Sequence, residues 1–148
     1  MIFIPYNVPS SKNSKVKTAK GVFNSRTVAK YLQKIGVRGY SRATGVKEYK
    51  TRDNVFRGCV GNYFEGIEYP VVLGIHFVRD THRRFDFHNA CQIILDLLVW
   101  HGFIRDDDMS SIIPVPMKMD GRWFSVDKRQ PGVYLKIKCG SKLGELSG

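Results

Sequence analysis

The chain has 148 residues, 43% of them hydrophobic and 12% aromatic, which is enough for one domain with a real core and excludes a disordered or fibrous protein. Its 24 Lys and Arg against 13 Asp and Glu give a net charge of +11. The three cysteines (Cys59, Cys91 and Cys139) have no CxxC spacing and argue against a disulfide framework or a thiolate zinc site. Only Met1–Pro5 are apolar at the start, and the run Ile93–Trp100 is broken by Asp96, so neither a signal peptide nor a membrane span is expected. A reducing cytoplasm fits this pattern.

The positive surplus is local. Residues 1–57 carry thirteen of the basic residues and only Glu48 and Asp53, while residues 58–148 are balanced. A concentrated positive field attracts polyphosphate and speeds encounter with it. Nucleic acid is therefore the expected partner, with a solubilising surface or an anionic-membrane patch as the plainer alternatives.

In chain order, Ile2–Ile4 reads as a short strand. Residues 9–20 are polar and basic and read as a mobile loop. Val28, Tyr31, Leu32 and Ile35 fall on one helical face, with Asn24 or Ser25 as cap candidates. The three glycines of 36–45 predict a loop. Tyr49, Phe56, Cys59, Val60 and Tyr63 predict a second helix over 46–65. Val71–Val78 reads as a strand, residues 79–85 as a charged loop, and 89–101 as the clearest helix, with Gly102 as its C′ residue. Pro114 and Pro116 lack donors on the same side of a strand over 112–119, which makes it an edge strand. Val133, Leu135 and Ile137 alternate with polar residues as a half-buried strand, and 139–148 is expected to fray. The order implies a single α+β domain over 1–148, its helices packed on a mixed sheet of about four strands. A basic N-terminal segment spans 9–57.

The helix at 89–101 is apolar almost all round. His88, Gln92 and Asp96 recur every four residues as one polar stripe, with Asn89 beside it. The stripe either meets solvent or walls a polar site. Asp86 precedes the helix, where a carboxylate is ordinarily an N-cap. Asp106, Asp107 and Asp108 follow it. Three adjacent carboxylates near a helix C-terminus repel one another, so either water solvates them or a hard cation compensates them.

The run Arg83-Arg84-Phe85-Asp86-Phe87-His88-Asn89, then a helix, then Gly102-Phe103-Ile104-Arg105-Asp106-Asp107-Asp108, resembles the RusA family of Holliday-junction resolvases. That family's pattern is an Arg-rich loop, Asp-x-Asp-Asn, a helix, Gly-Phe/Trp and a paired Asp-Asp before a strand. The resemblance covers roughly residues 69–138. Pro9–Asn13 weakly resembles the family's N-terminal Pro-Ser-x-Asn, and 24–45 looks like an insertion. Asp86 stands at the first motif Asp, His88 replaces the second, Asn89 matches the Asn, and Asp107 matches the last essential Asp, with Asp106 its neighbour. Gln92 stands where a lysine is expected.

The resemblance implies a RusA-like, Mg²⁺-dependent endodeoxyribonuclease that cuts four-way or branched DNA as a homodimer, with Mn²⁺ as a possible substitute. Asp86, His88 and Asp107 would be metal ligands and Asp106 a neighbouring or alternate one. Arg83 and Arg84 would hold the scissile or adjacent phosphate. Lys12, Lys15 and Lys17 would hold flanking backbone, and Arg79, Asn89 and Gln92 would also face DNA. His88 shifts preference towards softer metals, and Gln92 supplies no positive charge. A helix of about 13 residues is roughly 20 Å long, so Asp86 and Asp107 can meet only if the following loop folds back or two chains pair their helices antiparallel. A nucleic-acid-binding protein without catalysis and a metal-dependent ribonuclease are the competing expectations.

Overall fold

The computed structural model describes residues 1–10, 15–18, 21–24, 26–40, 47–49 and 55–141. Its main sheet has five strands in mixed orientation. β1 (Ile2–Pro5), β9 (Gly132–Ser141), β6 (Ile67–Arg79) and β7 (Ile112–Pro116) lie in that order, and β8 (Ser125–Val126) pairs with the far end of β6. The β1–β9 and β9–β6 pairs are antiparallel, whereas β7 and β8 run parallel to β6. Parallel neighbours need a crossover, and α3 (Phe87–Trp100) makes it between β6 and β7.

β6 is the long apolar strand that Val71–Val78 predicts, extended at both ends. Residues 73–79 are all buried, as a strand covered on both faces must be. Val71, Leu73, Ile75 and Phe77 form one core with Ala90, Ile94, Leu97 and Leu98 of α3. Each fully buried Val, Leu, Ile or Phe side chain among them stabilises the fold by about 1.5–3 kcal/mol. The same burial pushes the Cys91 thiol up to about 12, so it packs as a hydrophobe rather than reacting as a thiolate. β7 is an edge strand, as its prolines predict. Met117 N–H donates to Ile75 O at 3.0 Å, so alternate amides face β6. Pro114 and Pro116 then turn their missing donors to the open edge.

Four expectations are corrected. Within 9–20, residues Lys15–Thr18 form β2, antiparallel to β3 (Gly21–Asn24), rather than loop. Within 36–45, Val37–Tyr40 form β4, which pairs with β5 (Lys47–Tyr49). These pairings depend on cross-strand partners, such as Val16 with Phe23, which a scan of one segment does not register. The helix expected over 46–65 shrinks to α2 (Val55–Val60), because Tyr49 belongs to β5 and Gly61, at φ 53°, ends the helix. Of the stretch 139–148 expected to fray, residues 139–141 continue β9 instead, Cys139 pairing with Val72 and Ser141 with Ile67, and 142–148 lie outside the described residues. α1 (Arg26–Lys34) buries Val28 and Tyr31 as its spacing predicts. Of its two cap candidates, Asn24 ends β3 and Ser25 lies outside the described residues. No helix among the described residues is long and apolar enough to cross a membrane.

The C-terminus of α3 closes over a ring cluster. His101 stacks on Phe56 (4.9 Å between centroids) and on Phe103 (6.0 Å). Burial, reinforced by the nearby Arg57 charge, holds its imidazole at a pKa of about 4. The folded state therefore takes up fewer protons here than the unfolded chain between pH 6.5 and about 4, and stability is lost as pH falls through that window. His101→Phe keeps the ring stack and removes the titration. Its melting temperature should fall less steeply than that of the wild type between pH 6.5 and 4; parallel curves would show that His101 contributes nothing to acid sensitivity.

Candidate functional site

The site lies along α3, and each end of the helix is fixed by its own chemistry. At the N-terminus, Phe85 and Phe87 both pack edge-on against Phe77 of β6 (5.9 and 5.7 Å), which pins Asp86 between them. Asp86 is extended (φ −99°, ψ 112°), and its Oδ1 accepts the His88 N–H at 2.9 Å and the Asn89 N–H at 3.2 Å. It is thus the N-cap of α3, satisfying two donors the helix cannot pair internally. His88 is exposed, its ring edge-on to Phe87. Asn89 is half-buried, and its Nδ2 donates to Ser10 O at 3.4 Å, tying the N-terminal segment to the start of the helix.

At the C-terminus the chain reverses. Gly102 adopts φ 79°, a conformation open to glycine at no steric cost. Its N–H donates to Val99 O at 3.0 Å and the Phe103 N–H to Leu98 O at 2.9 Å, the two bonds of a Schellman motif. Ile104, fully buried, anchors the return path. Arg105 stacks on the Tyr69 ring at 4.3 Å and donates to Ser111 Oγ and Ser110 O, so its charge braces the loop instead of neutralising the whole acidic run.

The three aspartates then diverge. Asp106 Oδ1 accepts the Asp107 N–H at 2.8 Å. Asp108 accepts the Ser110 hydroxyl at 2.7 Å, and hydrogen bonds from Ser111 and Ser110 hold its carboxyl below the usual carboxylate range. Asp107 turns back to the helix. Gln92 Nε2 donates to Asp107 Oδ2 at 3.1 Å and to Asp96 Oδ1 at 2.7 Å, so one amide bridges two carboxylates.

Within one chain, therefore, the loop does fold back, but only as far as the middle of α3. The polar stripe of His88, Gln92 and Asp96 is exposed, and its Gln92–Asp96 half faces the acidic loop. Asp86, His88 and Asp107 are not gathered into one cluster. Among the described residues no group of three or more His, Cys, Asp or Glu side chains is placed to hold a metal ion. The sequence matches no protein-family model and no curated protein.

The predicted nucleic-acid contacts separate into three groups. Arg83 and Arg84 are exposed in the loop before Asp86. Arg79 departs from expectation: it is buried, its Nη1 donates to Val8 O, and its guanidinium lies 4.7 Å over the Phe85 ring. Burial lowers its pKa, Asp80 partly opposing this. Arg79 clamps the N-terminal segment to the loop instead of offering its charge to solvent. Lys15 and Lys17 lie on β2, and Lys12 lies outside the described residues. Asp96 belongs to the polar stripe but has no role in the RusA resemblance; its spacing of four from Gln92, a helical neighbour position, is what lets it accept from that amide.

Cap and charge can be separated at Asp86. Asn caps a helix about as well as Asp, whereas Ala does not. Asp86→Ala should cost about 1 kcal/mol of stability in chemical denaturation, and Asp86→Asn less than half of that. Equal losses for both would mean that the negative charge, not an oxygen that accepts from the two N–H groups, is what α3 requires.

Proposed function

We propose that this chain is a metal-dependent endonuclease for branched DNA, of the kind its resemblance to the RusA family implies. The observation that carries the reading is the Gln92 amide held between Asp96 and Asp107. It brings the acidic run of one motif onto the polar stripe of the other, in a chain whose positive surplus lies wholly in its first 57 residues. Mg²⁺ binds through one or two carboxylates and completes its shell with water and substrate phosphate oxygens. Asp96 and Asp107 are such a pair of hard oxygen donors, with the Gln92 amide occupying the position between them. When bound there, the cation would activate a water and stabilise charge on the phosphate.

The chain's own residues prepare that site. Asp106 fixes the backbone of Asp107. Gln92, once displaced, turns a neutral donor towards a phosphate oxygen, where a lysine would bring charge. Arg83 and Arg84, exposed beside the start of α3, neutralise the phosphate on either side of the cut. A four-way junction carries twofold symmetry, and a homodimer matches it with two sites. In such a dimer Asp86 and His88 of one chain can join Asp107 of the other.

Two observations favour a second reading, binding without cleavage: Asp86 Oδ1 is engaged as a helix cap, and no three-ligand group stands among the described residues. The deciding experiment incubates the protein with labelled four-way junction, linear duplex, single-stranded DNA and RNA, in Mg²⁺, Mn²⁺ or EDTA. Paired nicks in the junction that require metal are expected, and Asp107→Asn should abolish them while junction binding stays as tight or tighter, since a negative charge near phosphate is removed. Tight binding with no cut in either metal would favour the second reading. Preferential cutting of RNA would reassign the substrate.

A further inference from the structure

α1 carries Arg26, Lys30 and Lys34 at steps of four, and all three are exposed on one face of the helix. They line a cleft of about 320 Å³ together with Tyr31, Asn7 and Asp80. Among the described residues that line it, Asp80 is the one carboxylate beside these three cations. Like charges four apart on a helix repel, and α1 has no acidic residue in its first turn to relieve them. A ladder of this kind costs stability unless an extended anion lies along it.

The floor of the cleft connects it with the site on α3. Asn7 Oδ1 accepts the Asp80 N–H at 3.1 Å, where β6 passes into the Arg83–Arg84 loop. Ser10, three residues on from Asn7, accepts from Asn89 in the first turn of α3. Segment 7–10 thus lies against the cleft on one side and the start of α3 on the other. At the opposite end, Lys34 Nζ lies 5.7 Å from the centroid of the Tyr6 ring. Tyr6 is held in the left-handed region (φ 79°), with its N–H on Pro131 O at 2.8 Å. That conformation is uncommon for a bulky residue and persists only where the surroundings impose it. Here it turns the chain out of β1 and sets an exposed ring under Lys34.

We propose that the α1 cleft is a phosphodiester-backbone track, in which Arg26, Lys30 and Lys34 contact successive phosphates of a nucleic-acid arm whose neighbouring stretch reaches the site on α3. The proposal deepens the nuclease reading and rests on it for the identity of the polyanion. Arg26 to Lys34 spans ~12 Å at 1.5 Å per residue. Over that length one strand of a duplex presents about four phosphates at 3.4 Å each along the axis, enough to give each of the three cations a partner. The ladder lies in the part of the chain that looks like an insertion in the RusA pattern, so it would lengthen the footprint on one arm without changing the chemistry at Asp107.

The test measures binding to labelled four-way junction and duplex over a range of salt in EDTA, so that no cleavage intrudes. The Arg26→Gln/Lys30→Gln/Lys34→Gln variant should flatten the slope of log K against log salt by about two to three units, at about 0.9 per phosphate contact. Lys30→Gln alone should remove about one unit, and it serves if the triple variant does not fold. Replacing Lys118, Lys136 and Lys138, exposed lysines outside the cleft, controls for bulk charge. An equal loss of slope in that control, or no loss in the cleft variants, overturns the proposal. So does a cleft variant that loses binding to phosphatidylserine vesicles while its slope on DNA is unchanged. A flattened slope in a protein that cuts no substrate in any metal would leave the track standing and refute the nuclease reading instead.

Discussion

The carbonyl of Leu98 is the acceptor on which the candidate site depends. By taking the Phe103 N–H at 2.9 Å, with Gly102 at φ 79°, it ends α3 in a turn that sends the chain back along the helix. Without that reversal the acidic run would project from the far end of a helix roughly 20 Å long. With it, Asp107 reaches Gln92, and the polar stripe and the acidic run become one surface. The geometry is local, needing a glycine and two backbone bonds. Its consequence is long-range.

β6 plays the corresponding part for the scaffold. It pairs with β9, β7 and β8, carries the core on its Leu73–Ile75–Phe77 face, and delivers Arg79 to Val8 and Phe85. Phe77 then receives Phe85 and Phe87, so the residue between them, Asp86, is set by packing before its charge is used. The polar residues around α3 are supported by buried apolar contacts and by backbone acceptors, leaving their exposed atoms available to solvent or substrate. On the other face of β6, His76 is wedged between Met117 O and Ser125 Oγ, both at 2.7 Å, and locks β8 and the residue that follows β7 to the same scaffold.

What the sequence discloses follows from how local each signal is. α3 is legible because fourteen residues repeat one pattern and both its ends carry cap chemistry, Asp86 and Gly102. β7 is legible as an edge strand through two prolines. The β2–β3 and β4–β5 pairs are not, since strands of three or four residues hold no periodicity of their own and are fixed by their cross-strand partners. The long helix expected over 46–65 fails for the opposite reason: apolar residues at helical spacing span Tyr49 and Phe56, which belong to different elements. At the site, the polar stripe and the acidic run are both visible in the sequence, but their meeting at Gln92 is not, because it requires the direction in which the chain leaves α3. Arg79 reads as a surface cation, and only the fold shows that it is a buried clamp.

The place proposed for a divalent cation is the pair Asp107 and Asp96, bridged by Gln92. Titrating Mn²⁺ into the isotope-labelled protein and following paramagnetic broadening by NMR tests this without reference to any activity. The account predicts that the Gln92 side-chain amide and the backbone amides of Asp96 and Asp107 broaden first, and that Asp107→Asn abolishes the effect. Broadening confined to Asp108 and Ser110, or unchanged in the Asp107→Asn protein, would contradict it.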